Sequence, residues 1–421
     1  MFNHKRRTLI APQMAPIQFR LLEQVLRDAG FLVRIVPEVT KAMVDWALSN
    51  VHNDMCYPAL LSIGQVCYAA LSGEYGDPDS VAIVMTQTGG GCRASQYVGF
   101  IKKALADNGH PDIPVIPLAF APIKGEKWNQ LGFKVRDVRR AMYAFLLGDL
   151  VMVLANKVRP YEKVAGHVNG LTESILSALT DDGFVSMNDE NFAEWVRYIV
   201  REYSKVCTGK AIGSRPKIGV VGEILLKYHP DGNNHLVEMI EAQECEAVVS
   251  PLIDFFLYCL SGPVFQSGVL GRSKLKAWPT KKIIEYVEKR KEIVNKVLAV
   301  SEKFAGMEWP TIWELSDKVH GIIPIESSMG EGWLLPAEIV DLIENDCPYV
   351  VIAQPFACLP NHQIGAGTTK AISERYPEAE IISINYDPGV SATNQENRIS
   401  LLVGNAWEYH RKNFNNKEAN E

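Results

Sequence analysis

Short apolar runs alternate with segments of helical periodicity in two stretches of the chain, and this alternation limits the fold more than any other feature. In the first stretch, the spacing of Leu21, Leu22, Val25 and Leu26 predicts an amphipathic helix, which Gly30 ends. Apolar runs bounded by turn residues predict buried strands at 8–11, 31–36, 81–87 and 115–118. Strands that alternate with helices in this way are typical of βαβ units and a parallel sheet.

The second stretch follows a cluster of Gly, Ser and Pro at 208–216 and repeats the alternation. The segment between the two stretches, 126–207, has long helical patterns and no convincing strand. We therefore predict an α/β fold with two doubly wound, Rossmann- or flavodoxin-like lobes that carry helical insertions. Strands of the second stretch are predicted at 217–221, 247–250, 349–353 and 380–384. The expected boundaries are an N-terminal α/β lobe at 1–125, a helical insert or cap at 126–212, a C-terminal α/β lobe at 213–412 and a polar tail at 413–421.

The charge balance and the hydropathy exclude several classes of partner. The chain has 43 basic and 49 acidic residues, a formal net charge of −6 with His neutral, so it has no overall positive field to attract nucleic acid or an anionic membrane. No apolar run approaches the roughly 18 residues that span a bilayer, and the first residues lack the pattern of a signal peptide. We therefore expect a cytoplasmic protein whose thiols stay reduced.

Eight cysteines in 421 residues are too few for a disulfide scaffold, and three of them share a position. Cys56, Cys92 and Cys358 lie in loops next to Gly or Pro, and the last two come just after a predicted strand. Doubly wound sheets collect their chemistry in loops at the carboxyl ends of the strands. The other five are expected to be thiols of the apolar core: Cys67, Cys207, Cys245, Cys259 and Cys347.

The glycine run Gly89, Gly90 and Gly91 directly precedes Cys92. Successive glycines allow positive φ angles and point several N–H groups into one concavity, which suits a phosphate or an iron–sulfur core. A dinucleotide site is the weaker interpretation, because the G-x-G-x-x-G spacing and the acidic partner about 20 residues further on are absent. Thiolates without imidazole favour an iron–sulfur cluster over zinc, and a zinc-stabilised scaffold stays an alternative. Three thiolates would leave one iron of a 4Fe-4S cluster open.

Several strings of the sequence resemble those of the 2-hydroxyacyl-CoA dehydratase and benzoyl-CoA reductase superfamily. The resemblance is greatest to the branch that is associated with ATP-dependent dehydratase activases and that includes relatives of double-cubane cluster proteins. It covers about residues 50 to 410, and QTGGGCRAS followed by QPFACLPNH is its most specific pair. The strings lie at 53–58, 87–97, 159–162, 222–224, 233–234, 330–333, 354–362, 386–389 and 394–398.

The resemblance implies an iron–sulfur cluster that Cys56, Cys92 and Cys358 hold in the cleft between the two lobes. In the dehydratases, the open iron binds the carbonyl of an acyl-CoA thioester, and one electron from an activase of the actin and hexokinase-like ATPase superfamily drives loss of the 2-hydroxyl group. This chain has no Walker pattern, so ATP hydrolysis would belong to that partner. Because dehydratase cores combine two different subunits, an oligomer is expected. A double-cubane cluster would need six thiolates, for which Cys67, Cys245 or Cys259 would have to contribute.

Three further residues are candidates for chemistry beside the cysteines. Arg93 follows the cysteine turn and could pair with an anionic substrate or with the cluster, or form a surface salt bridge. Glu331, between two glycines, has the pattern of a cleft residue, and a turn carboxylate is the alternative. His362 lies close to Cys358 as a proton donor or as part of a helix start. Asp387 is predicted to be a turn residue.

The leading hypothesis from the sequence is an iron–sulfur enzyme that uses low-potential electrons from an activase. A non-catalytic electron-transfer or accessory subunit of the activase system is the second hypothesis, and a double-cubane reductase of small molecules is a variant of the first.

Overall fold

Two four-stranded sheets, each with all of its strands parallel, form the frame of the protein. The computed structural model describes residues 7–52, 54–87, 92–118, 131–269 and 274–418. The strands are β1 (Thr8–Ala11), β2 (Val33–Ile35), β3 (Val81–Thr86), β4 (Val115–Leu118), β5 (Lys217–Gly222), β6 (Glu246–Val249), β7 (Tyr349–Pro355) and β8 (Glu380–Tyr386). Each matches a predicted strand to within a few residues, so the α/β class with parallel sheets is confirmed.

Helices precede and follow the strands, and a further group separates the two sheets along the chain. The helices of the first sheet are α1 (Pro16–Asp28), α2 (Lys41–Asn50), α3 (Tyr57–Leu71) and α4 (Tyr97–Asp107), and the separating group is α5 (Val135–Val158), α6 (His167–Asp182) and α7 (Asp189–Ser204). The helices of the second part are α8 (Ile224–Tyr228), α9 (Leu236–Ala242), α10 (Ile253–Val269), α11 (Lys274–Ala299), α12 (Ile312–Lys318), α13 (Leu334–Glu344), α14 (Gly367–Arg375) and α15 (Ala392–Glu418). Helix α15 extends beyond 412, where a frayed polar tail was expected to begin.

Helices α3 and α13 are not among the predicted helices, and their burial explains why. Nearly every side chain of α3 is buried, and so is most of α13. A helix that is covered on all sides has no polar face, so its sequence lacks the periodicity that marks an amphipathic helix. Both helices nevertheless position the site, because each begins in the loop region between the two sheets.

The two sheets repeat one topology. The strand order is β2-β1-β3-β4 in the first sheet and β6-β5-β7-β8 in the second, so the order reverses between β1 and β3 and again between β5 and β7. Helix α3 packs on β1, β3 and α4, and helix α13 makes the matching contacts with β5, β7 and α14. The loop after β3, which carries Cys92, therefore corresponds to the loop after β7, which carries Cys358. The start of α3 at Cys56 corresponds to the start of α13 near Glu331.

Helix α5 is the core helix of the separating group, and it bears on the expectation that no segment spans a membrane. Among the described residues, one helical stretch, Val135–Tyr161, is long and apolar enough to cross a membrane by length and composition. Of its apolar window, 83% is buried inside the protein, against α1, α6, α7 and β6. A buried core helix meets the same criterion, so the stretch is weak evidence of a membrane span.

A carboxyl group, Asp149, lies in the middle of α5 with no exposure to solvent. Its two oxygens accept hydrogen bonds from the Gln18 side-chain amide (2.7 Å) and from the backbone N–H of Ile253 (2.9 Å), which connects α5 with α1 and α10. Burial raises the pKa of Asp149 to about 7, although both hydrogen bonds oppose the shift.

The free energy of unfolding should depend on pH through Asp149. The folded protein retains this proton up to about pH 7, whereas the carboxyl in the unfolded chain ionises near its ordinary pKa of 3.8. The contribution of Asp149 to the free energy of unfolding is thus complete below the pKa that it has in the unfolded chain. About 4 kcal/mol of it is lost as the pH rises through the pKa that it has in the folded protein. Asp149→Asn, whose amide can hydrogen-bond a flipped Gln18, should remove this loss. Urea denaturation at about pH 4.5 and about pH 7.5 checks it, and equal losses in both proteins would contradict it.

Candidate functional site

The three predicted thiols stand at the starts of helices or just after a strand. Cys56 is the N-cap of α3, and Cys92 is the N-cap of a short 3-10 helix, Arg93–Gln96, that leads into α4. Side chains at N-caps ordinarily accept hydrogen bonds from the first helical N–H groups, yet neither cysteine forms such a bond. Helix capping therefore does not account for a cysteine at either position.

The Cys56 and Cys358 loops, from different parts of the chain, are joined directly. The Tyr57 N–H donates to the carbonyl oxygen of Phe356 (3.3 Å), and Cys56 and Cys358 belong to one apolar cluster. The Cys56 Sγ also lies 3.5 Å from the hydroxyl of the buried Tyr97. Both thiols are buried, and Cys92 is half-buried.

The pKa shifts of the three thiols indicate that all three line one buried region, the interior of the site. Burial raises the pKa of Cys56, Cys92 and Cys358, that of Cys92 to about 12. A charge on Cys56 raises the pKa of both Cys92 and Cys358 further. The Cys56 sulfur thus lies close enough to Cys92 and Cys358 for its charge to act on both, and burial favours the neutral thiol at all three positions.

Two buried carboxylates complete this interior. Glu331, a predicted site residue, precedes α13, and its Oε1 accepts the backbone N–H of Ile224 (3.1 Å). Glu223, which the sequence analysis did not select, directly follows β5 and caps α8 through the N–H groups of Leu225 and Leu226 (both 3.0 Å). Burial and the neighbouring Glu331 raise the pKa of Glu223 to about 8, and burial also raises that of Glu331. Its position at the carboxyl end of a predicted strand was the signal that could have identified Glu223.

The two glycines around Glu331 allow its loop to pack closely. A Cβ at Gly330 would lie 2.8 Å from the Cβ of Pro360, two residues after Cys358. A Cβ at Gly332 would lie 2.1 Å from the Tyr258 hydroxyl and 2.3 Å from the carbonyl oxygen of Ser327, and both glycines have positive φ. These contacts place Glu331 between the Cys358 loop and α10, and its charge raises the pKa of both Cys92 and Cys358 beyond the effect of burial.

An ion pair holds the elements that carry the two carboxylates. The Lys227 Nζ lies 2.7 Å from Glu338 Oε1, and both side chains are buried. Lys227 belongs to α8, which Glu223 caps, and Glu338 belongs to α13, which follows Glu331. Removing one partner of such a pair costs about 3–5 kcal/mol, so the pair fixes α8 against α13.

Unpartnered polar atoms lie beside this interior. The Tyr258 hydroxyl is buried and forms no hydrogen bond within the part of the chain that is described, whereas the buried Asn361 amide interacts with the Glu331 carboxyl. Both lie beside Glu331, because Tyr258 contacts Gly332 and Asn361 lowers the pKa of the Glu331 carboxyl against the effect of burial. The Gln87 Oε1, at the start of the Cys92 loop, is unpartnered in the same sense. Each buried polar atom left in this state costs roughly 1–3 kcal/mol, which a bound group with matching atoms would recover.

Two further predicted site residues, Arg93 and His362, lie at the edge of the site. Arg93 is exposed, and its charge acts against the burial that raises the pKa of Cys56. His362 is exposed, and its Nδ1 lies 2.8 Å from the carbonyl oxygen of Cys358, so it packs on the cysteine loop. Gly89, Gly90 and Gly91 lie outside the described residues. Asp387 is a turn residue as predicted, since its Oδ1 accepts the Gly389 N–H (2.8 Å).

An open pocket of about 400 Å³ gives Cys92 access to solvent. The pocket is lined by His52, Asp54, Met55, Cys92, Arg93, Ser95, Gln96 and Phe100. Cys92, which is half-buried, therefore stands between this pocket and the buried thiols Cys56 and Cys358.

The other five cysteines do not all behave as predicted. Cys67, Cys245 and Cys347 are buried core thiols, as expected. Cys207 is exposed, so the prediction was wrong there: it lies in the loop after α7, where no element covers it. Cys259 is half-buried. Burial and, to a smaller extent, the charge of Glu331 raise its pKa to about 12, so Cys259 is the one of these five cysteines that lies nearest the site.

The donor set, with three thiols and two buried carboxyls, suits a positively charged group. Among the described residues, no three His, Cys, Asp or Glu side chains converge on a point where they could hold one metal ion. Ligands of a cluster bind different irons and so stand farther apart than ligands of one ion. Three thiols and two carboxyls around one interior would repel one another if they were all ionised, unless a cation compensated them.

Comparison with known proteins does not identify a family. No protein-family model matches the chain, and no curated protein matches it.

Replacing Gly332 by alanine should destabilise the protein and displace Glu331, since the new Cβ would collide with the Tyr258 hydroxyl and the Ser327 carbonyl. Gly306→Ala is the matched control, because Gly306 also has positive φ (+84°) but no atom near its would-be Cβ. We expect the control to lose only the backbone term of about 1–2 kcal/mol and Gly332→Ala to lose clearly more. Denaturant titration of the two variants measures the difference. Equal losses would show that the Glu331 loop is not packed as described.

Proposed function

We propose that this protein is an iron–sulfur protein that carries out reductive chemistry of the 2-hydroxyacyl-CoA dehydratase type at a cluster held by Cys56, Cys92 and Cys358. The observation that supports it best is the meeting of three thiols, none engaged in capping or a disulfide, around one interior that also contains two buried carboxyls. Thiolates without imidazole suit iron–sulfur ligation. In this proposal, the two parallel sheets are the cores of two Rossmann-like lobes, and the cluster lies in the cleft between them.

A bound cluster would supply a one-electron reductant with an open coordination position. The chain's own residues would do the rest. The three cysteines would release their protons on binding, because only thiolates bind metal. The Tyr258 hydroxyl, which has no partner among the described residues, would donate a hydrogen bond to the bound group or to the substrate beside it. The Glu223 carboxyl, with its pKa raised to about 8 by burial and by Glu331, would hold a proton near neutral pH.

The electron would come from a separate protein. The proposal assigns this role to an ATP-hydrolysing activase of the actin and hexokinase-like superfamily, and it expects a cytoplasmic, oxygen-sensitive oligomer acting on an acyl-CoA thioester or another small molecule. Arg93 stands at the pocket that leads to Cys92, where an anionic substrate would pass it.

A non-catalytic electron-transfer subunit is the second candidate function, and one surface favours it. The side chains of Phe356, Leu359 and Met329 are each more than half exposed, at 56%, 55% and 56%. They surround the Cys358 loop, since Met329 precedes Gly330, which packs on Pro360. Apolar side chains grouped on a surface mark contact sites for other proteins, and a protein contact beside the thiols is what a subunit that only passes electrons would need.

Anaerobically purified protein should contain iron and acid-labile sulfide, and Cys92→Ser should lose the cluster absorption and most of both elements. Cys207→Ser is the matched control, because Cys207 is an exposed thiol outside the site, and it should keep the wild-type content. Elemental analysis and visible absorption measure both variants. Zinc without sulfide in the wild type, or an unchanged spectrum in Cys92→Ser, would contradict the proposal.

The enzyme and the accessory subunit differ in turnover. With a reduced activase, ATP and a panel of 2-hydroxyacyl-CoA thioesters, the enzyme should consume at least one thioester, as product analysis by mass spectrometry would show. Reoxidation of the activase by the cluster protein without consumption of any thioester would favour the accessory subunit.

A further inference from the structure

The repeated topology relates the ligand-bearing loops in pairs. The first sheet contributes Cys92 after its third strand and Cys56 at the start of the helix before that strand. The second sheet contributes Cys358 after its third strand, β7. In the second sheet, the loop that leads into α13 carries Glu331, two residues before the helix N-cap Trp333, and has no cysteine. Three of the four corresponding loops thus carry a thiol, and the fourth carries a buried carboxylate.

We propose that the Glu331 carboxylate is the fourth ligand of the group that Cys56, Cys92 and Cys358 hold. The inference rests on the proposed function and specifies its least defined part, the coordination position that three cysteines leave open. A carboxylate is a harder and weaker iron ligand than a thiolate, so this position would be exchangeable and a substrate oxygen could replace Glu331 there.

The contacts around Glu331 support this assignment. Gly330 packs on Pro360, two residues after Cys358, and Gly332 packs on Tyr258, so the loop cannot withdraw from the cysteine loop without losing both contacts. Glu331 is 7% exposed, and its Oε1 receives one backbone hydrogen bond, from Ile224. Its neighbour Asn361 (1% exposed) interacts with the Glu331 carboxyl, and its neighbour Tyr258 (3% exposed) presents a hydroxyl without a partner among the described residues. A buried hydroxyl of this kind beside the carboxylate suits a ligand-binding role rather than a plain acidic turn.

Glu223 is the other buried carboxylate at the site, and its contacts suit a different role. One of its oxygens accepts two N–H groups at the start of α8, the capping bonds that fix the end of β5. Glu223 also follows a first strand, β5, whereas the ligand-bearing loops belong to the third strands and to the helices before them. The fourth ligand is therefore assigned to Glu331 and not to Glu223.

The test compares Glu331→Gln, Glu331→Cys and Glu223→Gln after anaerobic cluster loading. Gln at 331 keeps an acceptor for the Ile224 N–H but is a poor iron ligand. We expect Glu331→Gln to lose one iron per polypeptide under mild oxidation and to show the paramagnetic signal of a three-iron cluster. Glu331→Cys should restore the full iron content with four thiolate-bound irons in the Mössbauer spectrum. Asp149→Asn, which removes a buried carboxyl in α5 remote from the thiols, is the control and should match the wild type.

The results separate this inference from the proposed function. In one outcome, Glu331→Gln keeps the wild-type iron content and Mössbauer spectrum while Cys92→Ser loses the cluster. This result would show that Glu331 is not the fourth ligand, and it would leave the assignment of the cluster to the three cysteines intact. Iron loss in Glu223→Gln but not in Glu331→Gln would overturn the choice between the two carboxylates. A wild-type protein without iron and sulfide would overturn the proposed function and the ligand with it. Melting temperatures of the iron-free variants show whether each is folded before loading, and Glu331→Cys keeps the test decisive if Glu331→Gln is unfolded.

Discussion

The structure around the site depends on one constraint, the burial of three thiols and two carboxyls close to one another. Cys56, Cys358, Glu223 and Glu331 are buried around one interior, and Cys92 completes it from the half-exposed side. Burial raises the pKa of each, so the unloaded site is largely protonated near neutral pH. A group of ionised acids in this setting would repel one another, and the nearby cations offset this only in part, because Arg93 is exposed and Lys227 is paired with Glu338.

The surrounding helices and loops hold these acidic groups close to one another. Gly330 and Gly332 let the Glu331 loop approach Pro360 and Tyr258, and the Lys227–Glu338 pair holds α8 against α13. One cost of this arrangement is the unpartnered buried hydroxyl of Tyr258, worth roughly 1–3 kcal/mol. The site therefore suits a charged ligand. A bound cation would stabilise the ionised form of the acidic groups, and a polar atom of the ligand would accept a hydrogen bond from the unpaired donor.

Some of this could be predicted from residues alone. The strands follow from apolar runs, because parallel strands are buried on both faces, and Cys56, Cys92, Cys358 and Glu331 follow from glycine and proline in loops near strand ends. Helices α3 and α13 could not be predicted, since their burial on every side removes the periodicity that marks a helix. Cys207 was misplaced for a related reason: whether a cysteine is covered depends on what packs over it. Tyr258, in an apolar helix, carried no signal of a site.

The sequence by itself determined the α/β class, the two parallel sheets and the cysteines that stand at loop ends, because these depend on local patterns of apolar and turn residues. Only the tertiary structure decided that the loops after β3 and β7 face one interior, that Glu223 and Glu331 share it, and that the two sheets repeat one topology. The physical reason is that these relations join residues far apart in the chain through backbone packing. No local pattern records that packing, which is why the repeat was not visible in the sequence while the strand order shows it directly.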